Sequence, residues 1–269
     1  MLKKRVIFTL LYDQGGFMLS RNFRLQKVGD LRWLQKNYNF SNVSFSIDEL
    51  VILDVSRTAR DTDRFCEHVK AMTEGSFVPI AAGGGVMSTE HAQKLLRAGA
   101  DKVVVNTAVA TDPGLIREMA SLYGRQCIVA SVDAKQSASG FEVFTSNGGQ
   151  ATETSLSDWI KRLAELPVGE IYLNSMDRDG TGQGYMLAML DHIPASITTP
   201  VILAGGAGKP QHLEEGLRDP RVDAVATAHL FNFVGDGLSQ ARQRLLDAGQ
   251  RLPFWDRDRA KALAGTFTG

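Results

Sequence analysis

The two halves of this chain match each other at an offset of 121–122 residues, and that repeat limits the fold more than any other feature of the sequence. "DELVILD" (48–54) matches "GEIYLNS" (169–175), with Glu49 facing Glu170. "AGGG" (82–85) matches "AGGAG" (204–208), with Gly84 facing Gly205. "GADKVVV" (99–105) matches "PRVDAVA" (220–226). "RVIFTLL" (5–11) matches "CIVASVD" (127–133), which sets Leu11 opposite Asp133. Several pairs at one spacing point to a duplicated half-domain.

Within each half, short apolar runs alternate with amphipathic segments. Strands are expected at 5–11, 49–54, 78–82, 102–106, 127–133, 170–175, 201–204 and 224–227. Most are unbroken Val, Ile, Leu and Ala, as parallel strands covered on both faces require. Helices are expected at 88–99, 112–124, 210–219 and 237–249, from their starts, stops and apolar faces. Eight strands, each followed by a crossover, predict an α/β fold: a (β/α)8 TIM barrel with two-fold half-barrel duplication over residues 1–250. A doubly wound open sheet is the alternative, and the count and the repeat favour the barrel. Residues 251–269 are left as a C-terminal tail, whose Phe254 and Trp255 either cover the barrel or meet a partner.

The chain has 269 residues, 43% hydrophobic, with 30 basic and 30 acidic side chains. That suffices for one large core and gives no electrostatic case for nucleic acid or a membrane surface. The start, "MLKKRVIFTLLY", is basic then apolar, but its run is short and Asp13 follows soon, so it reads as a first strand rather than a signal peptide. No run reaches the roughly 20 apolar residues of a membrane span. A cytoplasmic location is expected. Cys66 and Cys127 read as buried thiols in a helix and a strand, in a reducing compartment. His91, His192 and His212 lie in helical patterns and are expected at the surface. No metal-ligand spacing joins them, and neither a metal nor a cofactor is expected.

In such a barrel, chemistry sits at the C-terminal strand ends. These ends carry Leu11, Asp54, Gly84, Gly85, Asn106, Thr107, Asp133, Asp179, Gly180, Gly205, Gly206 and His229. The two glycine clusters suit two phosphate pockets across one mouth, because glycine lets the backbone approach an anion closely. Inherited turn geometry explains them equally. Asp133, with Lys135 beside it, leads as a general acid or base, the alternative being a loop cap. Asp179, in "DRDGTGQG", is either a ligand contact or a turn residue.

The motifs "MLKKRVI", "DELVILDV", "AAGGGV", "GADKVVVNTA", "ASVDAK", "LNSMDRDGTGQGY" and "AGGAGK" together resemble the cyclase subunit (HisF) family of imidazole glycerol phosphate synthase, over nearly the whole chain. The resemblance implies a barrel that takes ammonia from a glutaminase partner (HisH-like) at its N-terminal face. At the top, the ammonia meets a bisphosphorylated ribulosyl aminoimidazole-carboxamide nucleotide and gives imidazole glycerol phosphate and AICAR. It implies phosphate binding by Gly84, Gly85, Asn106 and Thr107, with Asp179, Gly180, Gly205 and Gly206 completing the mouth. It implies an ammonia gate of Arg5, Glu49, Lys102 and Glu170, and glutaminase docking at Asp101. Opposite charges gathered at a barrel bottom must pair, so a purely stabilising ring is the alternative.

The likeness fails at particular places. Of the two aspartates expected to be catalytic, one matches Asp133 and the other falls on Leu11. A substrate-holding Lys falls on Leu19, and two serines of the second phosphate pocket fall on Ala204 and His229. These departures resemble the glycosyl-amidation-associated (WbuZ-type) paralogues of surface-polysaccharide biosynthesis. There the barrel is expected to pass ammonia to an ATP-dependent sugar amidotransferase that makes an acetamidino sugar of lipopolysaccharide. The expectation is therefore an ammonia-conducting subunit that binds a phosphorylated ligand. A working cyclase and a non-conducting scaffold are the alternatives, and whether the chain is itself an enzyme stays open.

Overall fold

The computed structural model describes residues 3–38, 43–74, 76–229 and 232–254. In the first half, β1 (Arg5–Asp13) runs into a hairpin of β2 (Gly16–Arg21) and β3 (Arg24–Gly29), then α1 (Leu31–Asn37). β4 (Glu49–Asp54), α2 (Thr62–Thr73), β5 (Ile80–Gly83), α3 (Thr89–Arg97), β6 (Lys102–Val105), α4 (Thr107–Thr111) and α5 (Pro113–Tyr123) follow. The second half repeats the plan. β7 (Ile128–Ser137) runs into a hairpin of β8 (Gly140–Thr145) and β9 (Gln150–Ser155), then α6 (Leu156–Ala164) and β10 (Glu170–Ser175). A 3-10 turn (Leu187–His192) replaces a helix before β11 (Val201–Ala204), α7 (Pro210–Arg218), β12 (Ala224–Thr227) and α8 (Gly237–Asp247).

The strand order β10-β11-β12-β1-β4-β5-β6-β7 is closed by pairing of β7 with β10, and every one of these pairings is parallel. This is an eight-stranded barrel, and closure removes the open-sheet alternative. Side chains alternate along each strand. Ile7, Val51, Ala81, Val104, Val129, Tyr172, Ile202, Ala204, Ala224 and Ala226 pack together inside the barrel. Their sequence neighbours, such as Phe8, Leu50 and Ile52, belong to the larger core between strands and helices.

A recurring aspartate starts the strands. A first strand N–H has no partner unless something supplies one. Asp48, Asp101 and Asp223 each stand just before a strand and accept from the N–H at the start of the neighbouring one: Val6 at 2.8 Å, Ile80 at 2.8 Å and Val201 at 2.9 Å. The carbonyls of Pro79 and Pro200, one per half, accept from Leu50 and Ile171. Helix starts follow the expected chemistry: Asp61, Ser88, Asp112 and Ser155 each cap an N–H three residues on.

The structure corrects several expectations. β1 does not end at Leu11, nor β7 at Asp133; both leave the barrel as two-stranded ribbons. The run at 78–82 starts only at Ile80, after a proline that has no N–H to donate. Cys127 closes a 3-10 turn (Arg125–Cys127) rather than lying within a strand, and both cysteines are only half-buried. His91, His192 and His212 are half-buried, not surface residues. Phe254 is 79% exposed, so it does not cover the barrel. Trp255 and the remainder of the tail lie outside the described residues. Among the described residues, no helix is long and apolar enough to cross a membrane.

Candidate functional site

A cavity of about 570 Å³ opens at the C-terminal ends of the barrel strands. Leu11, Gly84, Gly85, Asn106, Thr107, Asp133, Asp179, Gly180, Gly205, Gly206 and His229 all line it. β1 and β7 are the first and fifth of eight strands, so Leu11 and Asp133 come from opposite walls. Asp133 lines the cavity between Asn106 and Asn174. Its Oδ1 accepts from Asn174 Nδ2 at 2.9 Å and its Oδ2 from Asn106 Nδ2 at 3.1 Å. Burial pushes its carboxyl up to about 6; the Asn174 and Asn106 bonds oppose this, and the Asp179 charge adds to it. A carboxyl in that range can give or take a proton near neutral pH.

The paired glycines repeat atom for atom. A Cβ on Gly84 would fall 2.2 Å from the Asp54 carbonyl, and one on Gly205 would fall 2.6 Å from the Ser175 carbonyl. Both have positive φ, and the blocking carbonyls belong to corresponding strand ends. Turn geometry alone therefore requires these two glycines. His91 and His212 are a corresponding pair as well. The His91 ring bonds the Gly85 backbone, and His212 Nδ1 accepts from Gly208 N at 3.2 Å, each holding its own glycine loop from behind.

The two hairpins roof the mouth. Asp179 anchors the β2–β3 turn, with Oδ2 accepting from Ser20 Oγ at 2.5 Å and from Phe23 N at 2.9 Å. Arg57 Nη2 donates to the Phe23 carbonyl at 2.5 Å. From the β8–β9 turn, Asn147 Nδ2 reaches the Val55 and Ser56 carbonyls, both at 3.3 Å, and Ser146 N donates to Thr107 Oγ1 at 3.2 Å. The turns touch: a Cβ on Gly148 would fall 2.7 Å from the Phe23 ring. Gly180 is needed for the same closure, since a Cβ there would lie 1.7 Å from the Ser20 carbonyl.

At the other end of the barrel, four charges form a closed ring. Arg5 reaches Glu49 at 2.8 Å and Glu170 at 2.5 Å, and Lys102 reaches the same two at 2.9 and 2.7 Å. Burial raises the Glu49 carboxyl, with Lys102 opposing. At Glu170 burial also acts upward, but Arg5 and Lys102 outweigh it and hold the carboxyl below its ordinary range. Above the ring, Tyr172 Oη and Thr9 Oγ1 meet across the barrel interior at 2.9 Å.

A family described as Histidine biosynthesis protein matches residues 32–235. The chain is also 48% identical over 244 residues, 91% of each chain, to a protein of Parasynechococcus marenigrum (strain WH8102) provisionally named imidazole glycerol phosphate synthase subunit hisF2. The chain belongs to the histidine-biosynthesis protein family, as a HisF-like member.

In this HisF-like barrel some singled-out residues stand elsewhere than expected. Lys135 does not join Asp133 in the cavity. It follows β7 out into the ribbon, is exposed, and sets Nζ 5.9 Å from the Phe144 ring centroid. Leu19 lies in the β2–β3 ribbon and Ala204 in the barrel interior, and neither lines the cavity. Asn106 turns its amide to Asp133 and the Ser131 carbonyl. Asp101 is occupied with the Ile80 N–H, as its counterpart Asp223 is with Val201. Sequence reasoning missed Thr9, Ser20, Arg57, Arg60, Tyr172 and Asn174. Arg57 and Arg60 had a usable signal, because "DVSRTARD" directly follows a barrel strand.

Proposed function

We propose that this HisF-like barrel conducts ammonia from a glutaminase docked on its N-terminal face, and that the ammonia serves amidation of a sugar by an ATP-dependent partner. The observation that carries this reading is Leu11: an alkyl side chain lines the cavity wall opposite Asp133, where paired acid–base chemistry would need a second carboxyl. Asp13, two residues further on, is not among the lining residues. The ring of Arg5, Glu49, Lys102 and Glu170 is meanwhile complete. Beyond it the interior is apolar and rich in alanine, which suits uncharged ammonia and disfavours ammonium. Phe77, Leu122 and Phe254, exposed at the strand-start side of the barrel, suit a docked protein. Asp101 would meet the glutaminase with the part of its carboxylate that Ile80 leaves free.

Deleting the gene tests the reading. The expected result is altered surface polysaccharide with growth unaffected by histidine. A histidine requirement with unchanged polysaccharide would overturn it. One observation favours a second reading, a working cyclase: Asp133, at about 6, is poised for proton transfer on its own. Incubating the pure protein with the bisphosphorylated nucleotide and excess ammonium at alkaline pH separates the two. Formation of imidazole glycerol phosphate would establish the cyclase.

A further inference from the structure

Of the two hairpins over the mouth, the first has an unpaired edge. Asn22 and Phe23, both at positive φ, make a two-residue type I′ turn. In such a hairpin the flanking pair, Arg21 and Arg24, exchanges ladder bonds, and the bonding alternates from there. Leu25 and Lys27 therefore aim their N–H and C=O groups away from β2. β3 pairs with β2 alone, and among the described residues no other group bonds its backbone from Arg24 to Val28. An open edge of this kind is a template for one more strand.

The charges decide which strand fits. Between Gly16 and Gly29 the hairpin carries Arg21, Arg24 and Lys27 and no acid. All three are exposed, none has an ion pair among the described residues, and none lines the cavity. Arg21 and Arg24 stand directly opposite each other in the ladder, and like charges so placed cost stability until an anion sits beside them. A small anion would use the arginines and leave the backbone edge unused. The β3 edge of a second copy would bring more of the same charge and be repelled. The β8–β9 hairpin, the counterpart in the other half, differs on both counts. Its charges are Glu142 and Glu153, and Glu153 at positive φ breaks the regularity of β9.

We propose that the edge of β3 from Arg24 to Lys27 is a docking site for an extended, acidic segment of a partner protein, which adds a strand to the roof. Main-chain bonds to Leu25 and Lys27 supply the affinity, and the three bases select the partner. The proposal rests on the ammonia-conducting reading in one respect: that reading makes the partner the enzyme that receives ammonia at the mouth. The edge and its charges stand without it.

The test adds a short peptide alternating Glu and Val to the full-length protein and follows backbone amide exchange by NMR. No glutamine or ammonia is present, so failure here leaves conduction untouched, and failed conduction leaves this docking untouched. The expected result is exchange slowed at least about tenfold at Leu25 and Lys27. The slowing should vanish with the same peptide N-methylated along its whole length, which keeps its charge and removes its donors. A peptide alternating Lys and Val should bind at least about tenfold more weakly, and Arg21→Glu/Arg24→Glu should reverse that preference. The comparisons on the wild type stand even if that variant misfolds. Unchanged exchange with the acidic peptide would overturn the proposal, as would equal slowing by the methylated peptide or by inorganic phosphate. A dimer in sedimentation that Arg21→Glu/Arg24→Glu dissolves would also overturn it, giving the edge to a second copy.

Discussion

At Asp133 two effects compete. Removal from water disfavours the carboxylate, while the Asn174 and Asn106 amides favour it, and burial wins to leave the group at about 6. A pH titration followed by carboxyl carbon NMR should show that midpoint. Asn174→Ala deletes a donor at 2.9 Å and should move the midpoint higher still. The stability consequence has a definite sign. The folded state holds a proton that the unfolded chain, at an ordinary 3.8, releases, so the contribution of this residue falls as pH rises from about 4 to about 6. Denaturation of the wild type against Asp133→Ala across that range should show the difference shrinking in this direction. Asp133 itself was legible, because a lone carboxylate ending an apolar strand is conspicuous. Its two amide partners were not, since Asn106 and Asn174 come from other strands and meet it only when the barrel closes.

The elements divide sharply by how well they can be read. Barrel strands are covered on both faces and appear as continuous apolar runs, so all eight were legible to within a few residues. The hairpins carry a weaker pattern. β8, "GFEVFT", alternates in burial, and the "SNGG" after it is a hairpin signal that lies outside any continuous apolar run. β2–β3 had no comparable signal. Its turn places Asn22 and Phe23 at positive φ, and a phenylalanine there is held by its bonds to Asp179 and Arg57 rather than by local preference. The bottom of the barrel depends on another unread contact. Arg242 of α8 grips the buried Asp48 with two bonds, at 3.0 and 3.1 Å, and donates to the Pro253 carbonyl. Arg242→Ala would remove both of these bonds to the buried Asp48 and the one to Pro253. A loss of about 3–5 kcal/mol in urea denaturation is expected.

Across the whole molecule, the two halves share their strand starts, glycine loops and histidine supports, and differ in what faces the cavity. Leu11 stands against Asp133, and Arg57 and Arg60 are on one side only. Between the two ends of the barrel, Tyr172 and Thr9 bond to each other, and both line the cavity. If ammonia rises through the interior, Tyr172→Ala should change the share of glutamine-derived nitrogen that reaches product rather than bulk solvent, with glutaminase turnover kept. An unchanged share would place the route elsewhere. The roof has a consequence of a different kind. Asn147 holds its turn by gripping two backbone carbonyls, those of Val55 and Ser56. Such stitches act as a latch on time rather than on affinity. Asn147→Ala should quicken ligand arrival and departure together in stopped-flow measurements, with the dissociation constant nearly unmoved. The natural chain would then keep a captured molecule for a dwell time set by its lid and not by the strength of its grip.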